Sequence, residues 1–191
     1  FIVGYGGGYT VNLFSRSDIQ KVYVTELEKG ILKAADYVYQ GSNPLLQRKN
    51  IQVTVEDARF VLAAKLYGKY DIIVSQPSQS WQTGIANLFT KEFFEIVHEN
   101  LSEKGVFSQW LNLYNMDATV LKSILRTFFE VFPNGYVFTS QGDQELILIG
   151  SMQDLPFDFG KLAAIIRNKS FEKMLSGVPI RDAYQALSVF A

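Results

Sequence analysis

The feature that most constrains this chain is its opening, where Phe1-Ile2-Val3 runs straight into Gly4-Tyr5-Gly6-Gly7-Gly8-Tyr9-Thr10. Three apolar residues without polar relief predict a buried strand. The glycines then strip side chains from the turn that follows. The run Thr10 to Arg16 predicts a helix just beyond, so free N–H groups and the positive end of a helix dipole face whatever enters. A nucleotide or nucleoside suits such a turn. A tight strand-to-helix turn with no ligand suits it as well, and a second feature has to decide.

That feature is Glu26. It ends the next apolar run, Lys21 to Thr25, about 20 residues after the glycines, where a ribose-binding acid belongs in folds of this kind. A carboxylate there can accept both ribose hydroxyls. The competing reading, a solvated acid beside Glu28 at a helix start, is the weaker of the two.

Further along, the apolar period alternates between strand and helix. Leu27, Ile31, Leu32, Ala35 and Val38 recur at helical spacing, and Gly41-Ser42-Asn43-Pro44 break that helix. Ile51, Val53 and Val55 predict a third strand closing on Glu56-Asp57, and Ala58 to Tyr67 a short helix. Asp71 to Ser75 reads as a fourth strand buried on both faces, opening onto a long loop from Gln76 to Asn87. Thr90 caps a helix to about Asn100 with Phe93, Phe94 and Val97 inward, and Asp117 caps another to Phe129. Strands follow at Val106 to Leu111, Tyr136 to Thr139 and Leu146 to Ile149. The last two flank Gln141-Gly142-Asp143-Gln144, a separation that suits a hairpin and sets the final strand antiparallel.

The expected fold is therefore α/β, a mostly parallel seven-stranded sheet with an antiparallel last strand and helices on both faces. Residues 1–151 form the ligand-binding part. Residues 152–191 form a helical extension of the same domain, with helices over Phe157 to Arg167, Ser170 to Ser176 and Pro179 to Ala191.

Charge and composition exclude several classes. The 18 Lys and Arg are scattered and matched by 19 acids, which leaves a net charge of −1 and no electrostatic footprint for nucleic acid. Without cysteine there is no thiol nucleophile, disulfide or Cys-based zinc site, and no metal is implied. No run approaches the roughly 18 apolar residues of a membrane span, so the expectation is a soluble, cytoplasmic domain. A start on a core strand, without Met or leader, suggests a piece of a longer protein.

In open α/β sheets ligands sit off the carboxyl ends of the strands. The candidates there are Gly4, Gly6, Gly7, Gly8, Glu26, Glu56-Asp57, Ser75 to Trp81 and Gln109 to Tyr114. Asp57 can accept a hydrogen bond from an adenine amino group, with Ala58 leaving space beside it, or can serve as a helix N-cap. Gln109 can orient a substrate as a neutral group or satisfy backbone. Trp81, Trp110 and Tyr114 can wall a pocket or sit in the core. His98 is read as a surface or half-buried residue, not a catalyst.

Several segments, in order and at matching separations over about residues 1 to 150, resemble the spermidine synthase (aminopropyltransferase) family. They are the glycine turn, Thr-Glu-Leu-Glu, Glu-Asp-Ala-Arg, Tyr-Asp-Ile-Ile-Val-Ser-Gln-Pro-Ser-Gln-Ser-Trp, Asn-Leu-Phe-Thr-Lys-Glu-Phe-Phe and Gly-Val-Phe-Ser-Gln-Trp-Leu-Asn-Leu-Tyr. The likeness is greatest to a divergent branch often attached to membrane segments. It implies a class I methyltransferase-like (Rossmann-like) fold and self-association as a homodimer. By the resemblance Glu26 holds the ribose and Asp57 the adenine of decarboxylated S-adenosylmethionine, S-adenosylmethionine or methylthioadenosine, and a polyamine is the second substrate.

The family's remaining acids are missing. Gly7 stands where an acid holds the aminopropyl ammonium, and Gln76 and Gln79 stand where two acids bind the diamine and take its proton. A protonated amine cannot attack the carbon beside a sulfonium, and a glutamine amide cannot take its proton. Losing a general base costs about 10²–10⁴-fold, roughly 3–5 kcal/mol. Three readings follow: an adenosyl-binding domain with impaired transfer, a non-catalytic sensing or scaffolding domain, and a methyltransferase, for which positioning at the sulfonium is the main requirement. A NAD-dependent dehydrogenase ranks fourth.

Overall fold

The computed structural model describes residues 1–15, 19–38, 44–77, 84–114, 116–139, 144–168, 180 and 182–188. Gln79, Trp81, Gln141 to Asp143 and the expected helix over Ser170 to Ser176 lie outside the described residues.

The described residues form seven strands: β1 (Ile2–Val3), β2 (Val22–Glu26), β3 (Ile51–Val55), β4 (Tyr70–Ser75), β5 (Leu101–Asn112), β6 (Asn134–Thr139) and β7 (Glu145–Ser151). They are hydrogen-bonded in the order β3-β2-β1-β4-β5-β7-β6. β1 with β2, β2 with β3 and β4 with β5 pair parallel, whereas β7 runs antiparallel to both β5 and β6. This is the mostly parallel sheet with a reversed last strand that the alternating periods require. Between the strands lie α1 (Tyr9–Ser15), α2 (Lys29–Val38), α3 (Ala58–Ala63), α4 (Lys91–Asn100) and α5 (Ala118–Val131), with α6 (Phe159–Ile166) and a last helix over Ala183–Ser188 after the sheet. Among the described residues no helix is long and apolar enough to cross a membrane.

The chain divides into two compact units, one of Phe1 and residues 58–155 with Ala191, the other of residues 2–57 and 156–190. The first is built around phenylalanine. Phe93 and Phe94 project inward from α4, Phe107 from β5, and Phe128 and Phe132 from the end of α5, each at most 1% exposed. Phe94 meets Phe128 edge-on at 5.3 Å between ring centroids, and Phe107 stacks on Phe128 at 5.9 Å. Such pairs add about 0.5–1.5 kcal/mol beyond their area. α4 starts where expected because Thr90 Oγ1 accepts the Phe93 N–H, and α5 because Asp117 Oδ1 accepts the Thr119 N–H.

In the second unit Ile2, Tyr5, Val11, Val22, Val24, Ala35, Leu45 and Ile51 form the core, with Leu32 packed against it. The helical stripe assigned to α2 is only partly inward, since Ala35 is buried while Leu27, Ile31 and Val38 are exposed. Two other expectations are corrected. β4 is not buried along its length, because Asp71 and Ile72 are exposed. β5 begins at Leu101, not Val106, because Leu101 pairs with Tyr70 across a register irregularity.

Candidate functional site

β1 ends at Val3, and the turn from Gly4 to Gly8 is shaped by its backbone. Gly4 has φ +88°, a conformation that carries a penalty for any L side chain, although nothing lies within 4 Å of where its Cβ would be. Gly8, at φ +77°, is crowded as well: a Cβ there would sit 3.1 Å from Leu45 and 3.2 Å from the Tyr5 hydroxyl. Gly4, Gly6 and Gly7 are exposed, whereas Tyr5 between them sends its ring into the core. A Cβ on Gly7 would meet only the ring edge of the exposed Tyr9, at 3.0 Å.

The end of β2 grips this turn. Thr25 O accepts the Gly4 N–H at 2.8 Å, and Glu26 Oε2 accepts the N–H groups of Tyr5 at 2.9 Å and Gly6 at 3.3 Å. Glu26 Oε1 accepts the Glu28 N–H at 3.0 Å, just ahead of α2. The side chain is only 8% exposed. Sequence reasoning brought Glu26 to the glycines but missed that Tyr5 and Gly6 donate to it. The available signal was Tyr5 itself, a large apolar ring retained in a turn otherwise stripped of side chains. Leu45, just after Pro44, was missed as the residue packing under Gly8.

β3 pairs with β2 so that Val55 lies opposite Glu26, and Glu56 N donates to Glu26 O at 3.1 Å. Asp57 follows, half-buried, with its N–H donated to Glu56 Oε1 at 2.9 Å. The turn, Glu26 and Asp57 thus all lie at strand ends of one unit. Ala58 is buried as the first residue of α3.

In the other unit Ser75, the last residue of β4, is the register partner of Gln109, three residues before the end of β5, and both are fully buried. Gln109 Nε2 donates to Trp110 O at 2.9 Å and to Ser75 O at 3.5 Å, so the amide nitrogen does satisfy backbone. Its Oε1 and the Ser75 Oγ have no hydrogen-bond partner among the described residues. Buried polar atoms without partners are rare enough to need a reason. Gln76, next along, is exposed. Trp110 is half-buried and Tyr114 exposed, so Tyr114 is not a core residue; His98 is half-buried beside Phe132, 5.8 Å between ring centres.

Known proteins share both sequence and fold with this chain. A polyamine aminopropyltransferase of Caldicellulosiruptor saccharolyticus is 22% identical over 134 residues, which cover 69% of this chain and 47% of that protein. The chain spans about half the length of the curated relatives it matches. A spermidine synthase crystallised with the transition-state analogue AdoDATO superposes with a TM-score of 0.74 at 20% identity, covering 100% of this chain and 63% of the other. Human methyltransferase-like protein 13 in complex with SAH superposes with a TM-score of 0.72 at 20% identity, covering 92% and 80%. Both likenesses establish a Rossmann-like, methyltransferase-type fold. The family model for the spermine/spermidine synthase domain matches residues 1–141, the stretch that carries the glycine turn and strands β1 to β6. By that match the chain belongs to the spermine/spermidine synthase family.

Proposed function

We propose that this chain binds an adenosyl thioether or sulfonium, namely decarboxylated S-adenosylmethionine, S-adenosylmethionine or methylthioadenosine. Gly4, Gly6 and Gly7 give it an approach free of side chains, the buried Gly8 lets the turn close over Leu45 and Tyr5, Glu26 meets the ribose, and Asp57 with Ala58 meets the adenine. The observation that carries this reading is the exposed glycine turn hydrogen-bonded to the Glu26 carboxylate at the end of β2. The relatives support the ligand class, since one fold neighbour holds AdoDATO and another SAH.

Aminopropyl transfer is impaired in this reading. The reaction forms an N–C bond and breaks the C–S bond, releasing the thioether, and the attacking nitrogen must shed a proton. Gln76 and Gln79 accept none at neutral pH, and Gly7 offers no charge to the aminopropyl ammonium. The same uncharged strand end favours methyl transfer as the second reading, because a methyl group moves by in-line positioning at the sulfonium. The chain is proposed to act as a homodimer, as the resemblance implies.

Calorimetry with the three ligands tests this. Binding of at least one is expected, and a preference for the carboxylated ligand would favour methyl transfer. No binding of any would sink the proposal. Transfer to putrescine within tenfold of an ordinary synthase would refute the role given to Gln76 and Gln79.

A further inference from the structure

In the turn from Gly4 to Gly8, Gly7 is the glycine that backbone geometry does not require. Gly4, Gly6 and Gly8 have φ of +88°, +52° and +77°, in the left-handed region, whereas the φ of Gly7 lies outside it. What a side chain at Gly7 would meet is the ring of Tyr9, since a Cβ there would lie 3.0 and 3.2 Å from two of its carbons. Tyr9 opens α1 and is 84% exposed, so its ring is not spent on the core. Gly7 leaves the room, and Tyr9 is the side chain that the turn presents in it. We propose that the Gly7–Tyr9 pair sets the charge preference of the site: the Tyr9 ring meets the sulfur end of the bound nucleoside and selects the neutral thioether over the positively charged sulfonium. This rests on the nucleoside reading above and adds to it the charge state of the ligand and the residues that choose it.

An aromatic ring attracts a divalent sulfur through polarisation and dispersion, and needs no counter-charge to do so. A sulfonium is drawn to the ring as well, but a cation leaving water must recover its hydration, and a ring standing in solvent returns less of it than a carboxylate would. Position 7 offers no carboxylate, and that of Glu26 is engaged by the N–H groups of Tyr5, Gly6 and Glu28. The thioether carries no such cost. The site therefore favours the form that group transfer leaves behind over the form that donates the group, in keeping with a chain whose transfer chemistry is impaired.

Calorimetry with adenosine, methylthioadenosine and the dimethylsulfonium made from methylthioadenosine by adding one methyl group tests this, because the last two differ at sulfur alone. The wild type should bind the thioether about fivefold more tightly than the sulfonium, and Y9A should lose about fivefold in thioether affinity. Adenosine affinity should stay the same in Y9A, which shows that the variant is folded, and Y9F should match the wild type with all three ligands. G7D, which returns a carboxylate to the turn, should reverse the preference. Sulfonium binding at least as tight as thioether binding in the wild type would overturn the proposal. So would thioether affinity unchanged in Y9A, or an unaltered preference in a G7D that still binds adenosine. Adenosine binding with either of those results removes the role of Tyr9 and leaves the nucleoside reading standing, whereas no binding of any of the three removes both.

Discussion

Asp117 shows a single side chain setting a boundary and a pH dependence together. Its carboxylate accepts the Thr119 N–H at 2.7 Å, and that bond, with a second from the Thr119 side chain and a smaller one from the Val120 N–H, holds its pKa below the ordinary 3.8. A carboxyl whose folded pKa is depressed stabilises the fold fully above its unfolded pKa and loses that contribution as pH falls through the folded value. D117A should therefore melt a few degrees below the parent at neutral pH, with the gap closing as the pH drops below the usual carboxylate range; thermal melts across that range read it directly. The cap was legible because Asp before an apolar period is a local signal. Glu26 was half legible. Its distance from the glycines marked it as a partner of the turn, but which of its lone pairs were already engaged depends on where two segments 20 residues apart come to rest, and no spacing records that.

Elements were legible where cap and period agreed. In α4 the Thr90 cap and the Phe93, Phe94, Val97 stripe point to the same helix, and all three side chains are buried. α2 has the period without the burial, because its neighbours decide which part of an apolar stripe is covered. The early start of β5 was hidden in Leu-Ser-Glu-Lys-Gly, a polar run that becomes strand through its partner Tyr70. The phenylalanine cluster gives the test at this scale. F94A should cost about 3–5 kcal/mol by the transfer and cavity terms together. G150A should cost about 1–3 kcal/mol for the opposite reason, since a Cβ on Gly150 would lie 2.6 Å from Phe132 Cγ. Urea titrations of both variants check the pair; a neutral G150A would mean that the ring can step aside.

For the molecule as a whole, the mainly parallel sheet and the reversal of β7 followed from alternating periods and one short connection, whereas the strand order did not. The division into two compact units left no mark in composition, because the boundary at residues 57 and 58 falls inside an unbroken Asp-Ala pair between β3 and α3. Ligand linkage is the global test. Methylthioadenosine at a hundred times its Kd should add about 2.7 kcal/mol, a rise in Tm of about 5–10 °C. NAD at the same concentration should leave Tm unmoved, and a comparable rise with NAD would contradict the proposed ligand class. The grip of Glu26 on the turn has a broader consequence. The hydrogen bonds that hold the glycine turn come from residues 2–57 alone. A substitution confined to residues 58–155 leaves those bonds untouched, so the proposed nucleoside binding can be assayed apart from any transfer.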